Sequence, residues 1–406
     1  MQRYDYLIVG AGMVAANAVQ GIREKDTQGT IGILGAEPNG PVTRPALTKK
    51  LWTDPEFGYD KIWMQPEQDD GTTLHTRTRV TAIDRGQKTV TTDDGDTIGY
   101  GKLLLATGGA PMTIDLPASD RVRYFRTVED YDCLRRLAGK GLHIAVIGGS
   151  YIGTELAAAL IQNGCRVTLI HPHEVLGSQM FPPSLANRFH QTYLDKGVEL
   201  LNGRKVSGGR EADGKVTLEL DDGNGLEVDA AVFGLGVKPR VELAAQAGLE
   251  VEDGMVVVNA RLETSDDAIF AAGDIVTYPD HILGRWHAEH VDNANQMGAT
   301  VGRIMAGSDE TYDYTPYFYS NVFDFAWKAV GKLDSSLTTV EDVEDDKGVY
   351  YYLDNHDLDN HDLDNERVVG VLLLNLEADK LDEAREVLAD KSPQRPDTLM
   401  GRIARS

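Results

Sequence analysis

The sequence predicts an α/β protein of several domains. Two strand, glycine turn, helix, strand units repeat within the chain, buried strands ending in small residues follow them, and beyond about Asp309 the pattern changes to alternating, aromatic-rich stretches. At 406 residues the chain is long enough for two or three domains, each with its own core.

The first unit runs from Tyr4 to Glu37. YDYLIVG reads as a buried strand, GAGMVA as a turn, AANAVQGIREKD as an amphipathic helix and TIGILG as the returning strand. Gly10 permits the tight turn, Gly12 lets backbone approach a pyrophosphate, and Ala15 keeps the helix close to the sheet. The helix N-terminus adds amides and positive partial charge, so the four roles converge on a dinucleotide. KLLLATGGAP, from Lys102 to Pro111, is then a buried strand ending at Ala106, Thr107 and Gly108. The whole unit repeats in LHIAVIGGSYIGTELAAALIQNGCRVTLIH, with Gly148 and Gly153 at the first and third glycine positions and Ser150 at the middle one. Two units predict two dinucleotides. TSDDAIFAAGD, from Thr264 to Asp274, is another strand, ending in Gly273 and Asp274. Compact backbone and an acid at a strand's C-terminal end lie where open α/β sheets bind ligands. Past Asp309, YTPYFYSNVFDFAW, GVYYYLD and ERVVGVLLLNL read as strand-like and LDEAREVLAD as a polar helix, which predicts a separate α+β domain.

Acids outnumber bases by 64 to 40, a formal net charge of −24, which disfavours nucleic acid and anionic lipid as partners. Only 16 of the bases are lysine. That balance fits a salt-adapted cytoplasm in which screening suppresses self-repulsion; the melting temperature is expected to rise in molar KCl, and a thermal melt with and without the salt checks it. The two cysteines, Cys133 and Cys165, form neither a disulfide framework nor a CxxC motif and read as small buried hydrophobes. With no apolar run of membrane-spanning length and no charged-then-apolar leader, the expected location is the cytoplasm. The repeat LDNHDLDNHDLDN, Leu353 to Asn365, reads as an expanded hairpin loop, and no metal site is expected there.

Five segments carry a resemblance: TRPALTKKLW (Thr43 to Trp52), GGSYIGTEL (Gly148 to Leu156), HAEHVDNA (His287 to Ala294), YFYSNVF (Tyr317 to Phe323) and GKLDSSLTTV (Gly331 to Val340). On these the chain resembles the pyridine-nucleotide-dependent FAD oxidoreductases, and within them the apoptosis-inducing-factor branch. Oxygenase-coupled ferredoxin reductases share much of the first half. The resemblance implies two Rossmann-like dinucleotide-binding domains in the glutathione-reductase-like arrangement, plus a C-terminal α+β domain. An FAD domain (1–125 and 250–309) is split by an NAD(P)H domain (126–249), and residues 310–406 follow. It implies FAD and NADH as cofactors, with NADPH the alternative.

The resemblance also implies roles for particular residues. Lys49 would lie near the flavin's central-ring nitrogen and pair with Glu155; outside the RPALTK context, the adjacent Lys49 and Lys50 would read as part of a solvated helix. Arg44 would neutralise the FAD pyrophosphate, and Asp274 would accept from the ribityl hydroxyls. Tyr151 would occupy the nicotinamide pocket or pack between domains. Glu289 and His290 would precede a helix aimed at the flavin's pyrimidine end, with His290 tuning the flavin or touching the nicotinamide. Lys49, Glu155 and His290 are thus the catalytic candidates, and Gly236 joins the cofactor contacts. Three departures stand out. Ala36 replaces the usual ribose-binding acid, leaving Glu37 one position on; Tyr319 replaces a tryptophan; and GPVTRPALTKK holds no thiol where disulfide reductases need one. His171, at the position that selects NAD or NADP, is neither acid nor arginine, with Glu174 three residues on, and NAD is the expected nucleotide.

The expected activity is therefore hydride transfer from NADH to FAD without a redox-active cysteine, followed by transfer to an unidentified acceptor. The alternatives are a reductase of ferredoxin, rubredoxin or a similar small iron–sulfur protein, and an NADH-sensing scaffold whose dimerisation or partner binding follows flavin reduction. A homodimer is compatible with each.

Overall fold

The computed structural model describes residues 1–66, 71–355 and 366–405. The chain divides into two compact units. One is formed by Met1–Arg44, Tyr59–Ala110 and Lys238–Pro316, the other by Pro45–Gly58, Pro111–Val237 and Tyr317–Ser406.

In the first unit, strand Gln2–Val9 ends in four consecutive buried residues because it runs through the middle of a sheet covered on both faces. It pairs in parallel with Ile31–Leu34 on one side and with Thr97–Leu105 on the other, Val9 standing opposite both Leu34 and Leu105. Thr72–His75 extends the first side and Ile269–Ala271 the second, both in parallel. Val80–Asp84 and Thr89–Thr92 add an antiparallel meander. The strand order reverses at Gln2–Val9, and such a reversal opens a crevice beyond the strand's C-terminal end. The first helix, Met13–Arg23, starts earlier than the sequence pattern suggests: Gly12 is its N-cap, so Met13 and Val14 are helical and not part of the turn. It packs on helix Val291–Met305 so closely that a Cβ on Gly21 would overlap the Ala299 carbonyl and one on Gly302 the Ala18 carbonyl.

The second unit repeats the plan. Its parallel sheet runs Glu199–Leu201, Arg166–Ile170, His143–Ile147, Ala230–Phe233, Val122–Tyr124, and the order reverses at His143–Ile147. A three-stranded antiparallel sheet, Val206–Ala212, Lys215–Leu220 and Gly225–Val228, shares a core with it through Ile147, Phe233, Val216 and Leu218. The same unit holds a five-stranded antiparallel sheet in the order Tyr317–Val322, Phe325–Gly331, Glu366–Leu374, Lys347–Asn355, Thr338–Glu344, with helix Lys380–Ala389 packed on it. The stretch YTPYFYSNVFDFAW is two strands, not one: Phe323, at φ +53°, turns the chain back between them. The strands bracketing the LDNHD repeat pair from Asn355 and Glu366 inward; residues 356–365 of the repeat lie outside the described residues. Among the described residues no helix is long and apolar enough to cross a membrane.

Candidate active site

Both glycine turns sit at the reversal points, and their chemistry follows from close packing. Gly10 has φ +114°, and a Cβ there would overlap the Ala106 carbonyl at the end of the neighbouring strand. Gly148 has φ +120°, and its Cβ would overlap the Gly234 carbonyl. Each turn is pinned by a backbone hydrogen bond back to the sheet, Gly10 N–H to Leu34 O and Gly148 N–H to Ile170 O, both 2.9 Å. Gly153 presses its helix onto the turn, with no space for a Cβ beside the Gly148 carbonyl. Gly12 is different: a Cβ there would meet nothing within 4 Å. Neither Gly12 nor Ser150, the two N-caps, makes a side-chain capping bond, so neither N-cap side chain occupies the first-turn amides that a phosphate would use. Gly12 thus leaves the room, and helix Met13–Arg23 the donors, that a bound pyrophosphate requires.

Further candidates gather at the C-terminal ends of the same strands in the first unit. Ala106 N–H donates to Val9 O, and Ala272 N–H to Leu105 O, which aligns Gly10, Ala106–Gly108 and Gly273–Asp274 along one edge. Ala15 is fully buried behind the turn. Arg44 and Glu37 come together in an ion pair of 2.6 Å. The acid that follows the missing ribose ligand therefore holds the arginine assigned to the pyrophosphate. His290 is the N-cap of helix Val291–Met305 without making a side-chain capping bond. Glu289, its neighbour in sequence, turns to His287 instead, Oε1 to Nε2 3.3 Å, and His287 Nδ1 lies 3.0 Å from Val276 O.

Burial pushes His290 down to about 4, Asp274 opposing the shift, and burial likewise pushes His171 down to about 4. Both stay neutral in the folded protein until about pH 4, whereas in the unfolded chain each takes up a proton from about pH 6.5 downward. Acidification from 6.5 to 4 thus favours unfolding. The melting temperature is expected to fall across that window, and less steeply in His171→Gln or His290→Gln; pH-dependent melts of the three proteins check this.

In the second unit, the segment Pro45–Gly58 is fastened by Trp52. Its indole N–H donates to Leu47 O at 2.7 Å, its ring meets Tyr131 edge-on at 5.2 Å, and its carbonyl accepts from Asn163 Nδ2. This sets Lys49 against helix Tyr151–Gln162, where Lys49 Nζ lies 2.7 Å from Glu155 Oε1. Lys49 is not on a solvated helix face: its side chain is only 15% exposed and that of Glu155 4%. Lys49 Nζ also lies 5.3 Å from the centre of the Tyr319 ring. Tyr151 opens the helix one turn before Glu155 and contacts Phe318 and Trp327, rings 6.2 and 5.5 Å apart. Burial raises the Tyr151 and Tyr319 hydroxyls, keeping both protonated. Gly236, at φ +91°, accepts from Met112 N–H.

Two partners of Glu155 escaped sequence reasoning. Thr48 Oγ donates to Oε2 at 2.6 Å, and Ser320 Oγ to Oε1 at 2.7 Å. Both stand next to residues already singled out, Lys49 and Tyr319, inside the quoted motifs. Neither hydroxyl stands out locally: Thr48 precedes two lysines and Ser320 precedes Asn321.

A family model described as pyridine nucleotide-disulphide oxidoreductase matches residues 4–298. The chain belongs to this family. Among relatives of this oxidoreductase, the ferredoxin–NAD(+) reductase component of the anthranilate 1,2-dioxygenase system of Burkholderia cepacia is 34% identical over 84% of the chain and 85% of the relative. Apoptosis-inducing factor 1, mitochondrial, of Dictyostelium discoideum is 29% identical over 96% and 79%. The covalent putidaredoxin reductase–putidaredoxin complex superposes with a TM-score of 0.86 at 26% identity, covering 98% of this chain and 95% of that one. The oxidoreductase is an FAD-dependent NAD(P)H enzyme of the α/β type. The disulphide in the family name has no counterpart in an exposed thiol: Cys133 and Cys165 are 2% and 5% exposed, and burial raises the Cys165 thiol.

Proposed function

We propose that this oxidoreductase passes electrons from NADH through FAD to a small iron–sulfur protein. The observation that carries the reading is the buried Lys49–Glu155 pair beside Tyr319, in a chain with two dinucleotide turns and no exposed thiol. Bound FAD supplies hydride acceptance from the nicotinamide and onward release of electrons. With FAD bound, Lys49 would stabilise negative charge on the reduced flavin, and Glu155 would compensate the ammonium when the flavin is oxidised. Gly10, Gly12, Ala15, Arg44, Ala106–Gly108, Gly273 and Asp274 hold FAD, with Glu37 orienting Arg44. Gly148, Gly153 and Gly236 would hold the nicotinamide nucleotide, Tyr151 would screen its ring site, and His290, kept neutral by burial, would hydrogen-bond to the flavin. On this reading the FAD domain spans 1–125 and 250–309, the NAD(P)H domain 126–249 and the C-terminal domain 310–406.

The iron–sulfur acceptor is supported by relatives named as reductases of ferredoxin and putidaredoxin, the latter from Pseudomonas putida at 28% identity over 97% of the chain. NADH is taken in preference to NADPH because His171, at the selecting position, is not an arginine, and the nearby Arg204, whose backbone N–H donates to the His171 carbonyl, pairs with Asp222 at 2.8 Å. The test is anaerobic titration with NADH followed by an acceptor panel. Bleaching of the flavin absorbance and rapid turnover with a [2Fe–2S] protein are expected. Full bleaching with no turnover on any iron–sulfur acceptor would overturn the acceptor assignment.

A further inference from the structure

Glu155 is 3% exposed, and its two oxygens accept from three donors on two separate segments: Lys49 and Thr48 from the Pro45–Gly58 segment, and Ser320 from strand Tyr317–Val322. The donors differ in kind. Thr48 and Ser320 are neutral, short and themselves buried, 7% and 3% exposed, so they cannot leave the carboxylate without losing their own best partner. Lys49 is long, charged and more accessible than Glu155, and while paired with it the ammonium also lies 5.3 Å from the centre of the Tyr319 ring. A buried carboxylate held by a lysine alone would hold that lysine in turn, since separating them strands a buried charge. Here two hydroxyls remain on Glu155 wherever the ammonium goes.

We propose that Thr48 and Ser320 are positioning residues for flavin reduction: by holding Glu155 on their own account, they leave the Lys49 ammonium free to be shared between Glu155 and the reduced flavin. Removing both hydroxyls makes lysine the sole donor to Glu155 and draws the ammonium away from its electrostatic task. The inference rests on the assignment of Lys49 to the flavin made above, and the experiment separates the two.

The flavin midpoint potential and the stopped-flow rate of reduction by NADH are measured on FAD-loaded wild type, Thr48→Val, Ser320→Ala, the double variant, Thr48→Ser and Lys49→Met. The double variant is expected to keep its FAD, shift the potential to more negative values and slow reduction roughly tenfold. Lys49→Met should shift it in the same direction, each single variant should give part of the effect, and Thr48→Ser should match wild type. A double variant that only melts earlier, with potential and rate unchanged while Lys49→Met alters both, overturns the proposal. Unchanged values in Lys49→Met as well would overturn the Lys49 assignment beneath it. If the double variant does not fold, the two single variants decide by the same criterion: wild-type potential and rate in both overturn the proposal.

Discussion

Lys49→Met is expected to bind FAD and to be reduced by NADH roughly 100-fold more slowly, the scale of losing one preorganised charge-stabilising group. Methionine reproduces the apolar stem of lysine up to Cε, so the segment fastened by Trp52 should keep its shape. What disappears is the cation 2.7 Å from Glu155. Breaking a buried ion pair ordinarily costs about 3–5 kcal/mol, because the surviving charge is left unpaired. Thr48 and Ser320 still donate to Glu155, so the loss of stability should be smaller, about 1–3 kcal/mol. Kinetics and stability thereby come apart: a large fall in the reduction rate with a modest fall in melting temperature is the expected signature. Stopped-flow reduction and thermal melts of the same preparations check it. A rate equal to that of wild type would make Lys49 a structural residue, part of the fastening that Trp52 provides.

The parts of this molecule that were legible in the sequence are those where one local pattern fixes one geometry. Gly10 and Gly148 announce strand-to-helix turns because a left-handed backbone and a neighbouring carbonyl exclude any side chain, and YDYLIVG and HIAVIGG read as buried because parallel strands are covered on both faces. Lys49 could be joined to Glu155 only by resemblance, since nothing local to either residue encodes a contact across 106 positions of chain. Thr48 and Ser320 were illegible for a related reason: each hydroxyl has polar neighbours in sequence, and its buried partner Glu155 lies more than a hundred residues away. The pairing of Glu289 with His287, and not with the adjacent His290, was equally hidden, because it depends on how the chain enters helix Val291–Met305. Burial, which sets the His171 and His290 shifts, is a property of the assembled unit and has no local code.

The sharpest difference in the molecule is between two glycines of one turn, and it yields paired outcomes. Gly10→Ala is expected to destabilise the protein by about 3 kcal/mol or more and to abolish FAD retention. The added Cβ would overlap the Ala106 carbonyl, and the backbone at φ +114° is one that L residues rarely adopt. Neither penalty can be relieved by a rotamer change, because Val9 and Leu105 are paired in the same sheet on either side of the contact. Gly12→Ala faces no such obstacle. Its backbone is extended, at φ −102°, and its Cβ would point into open space. The apoprotein should therefore fold with stability within about 0.5 kcal/mol of wild type. If that space is where the FAD pyrophosphate passes, the same methyl group should weaken FAD binding at least tenfold, a change of about 1.4 kcal/mol. Chemical denaturation of the apoproteins and FAD titration followed by fluorescence quenching separate the two effects. Equal losses of stability in both variants would mean that the turn keeps its shape for packing alone, whereas a stable Gly12→Ala apoprotein with wild-type FAD affinity would remove the pyrophosphate from this turn.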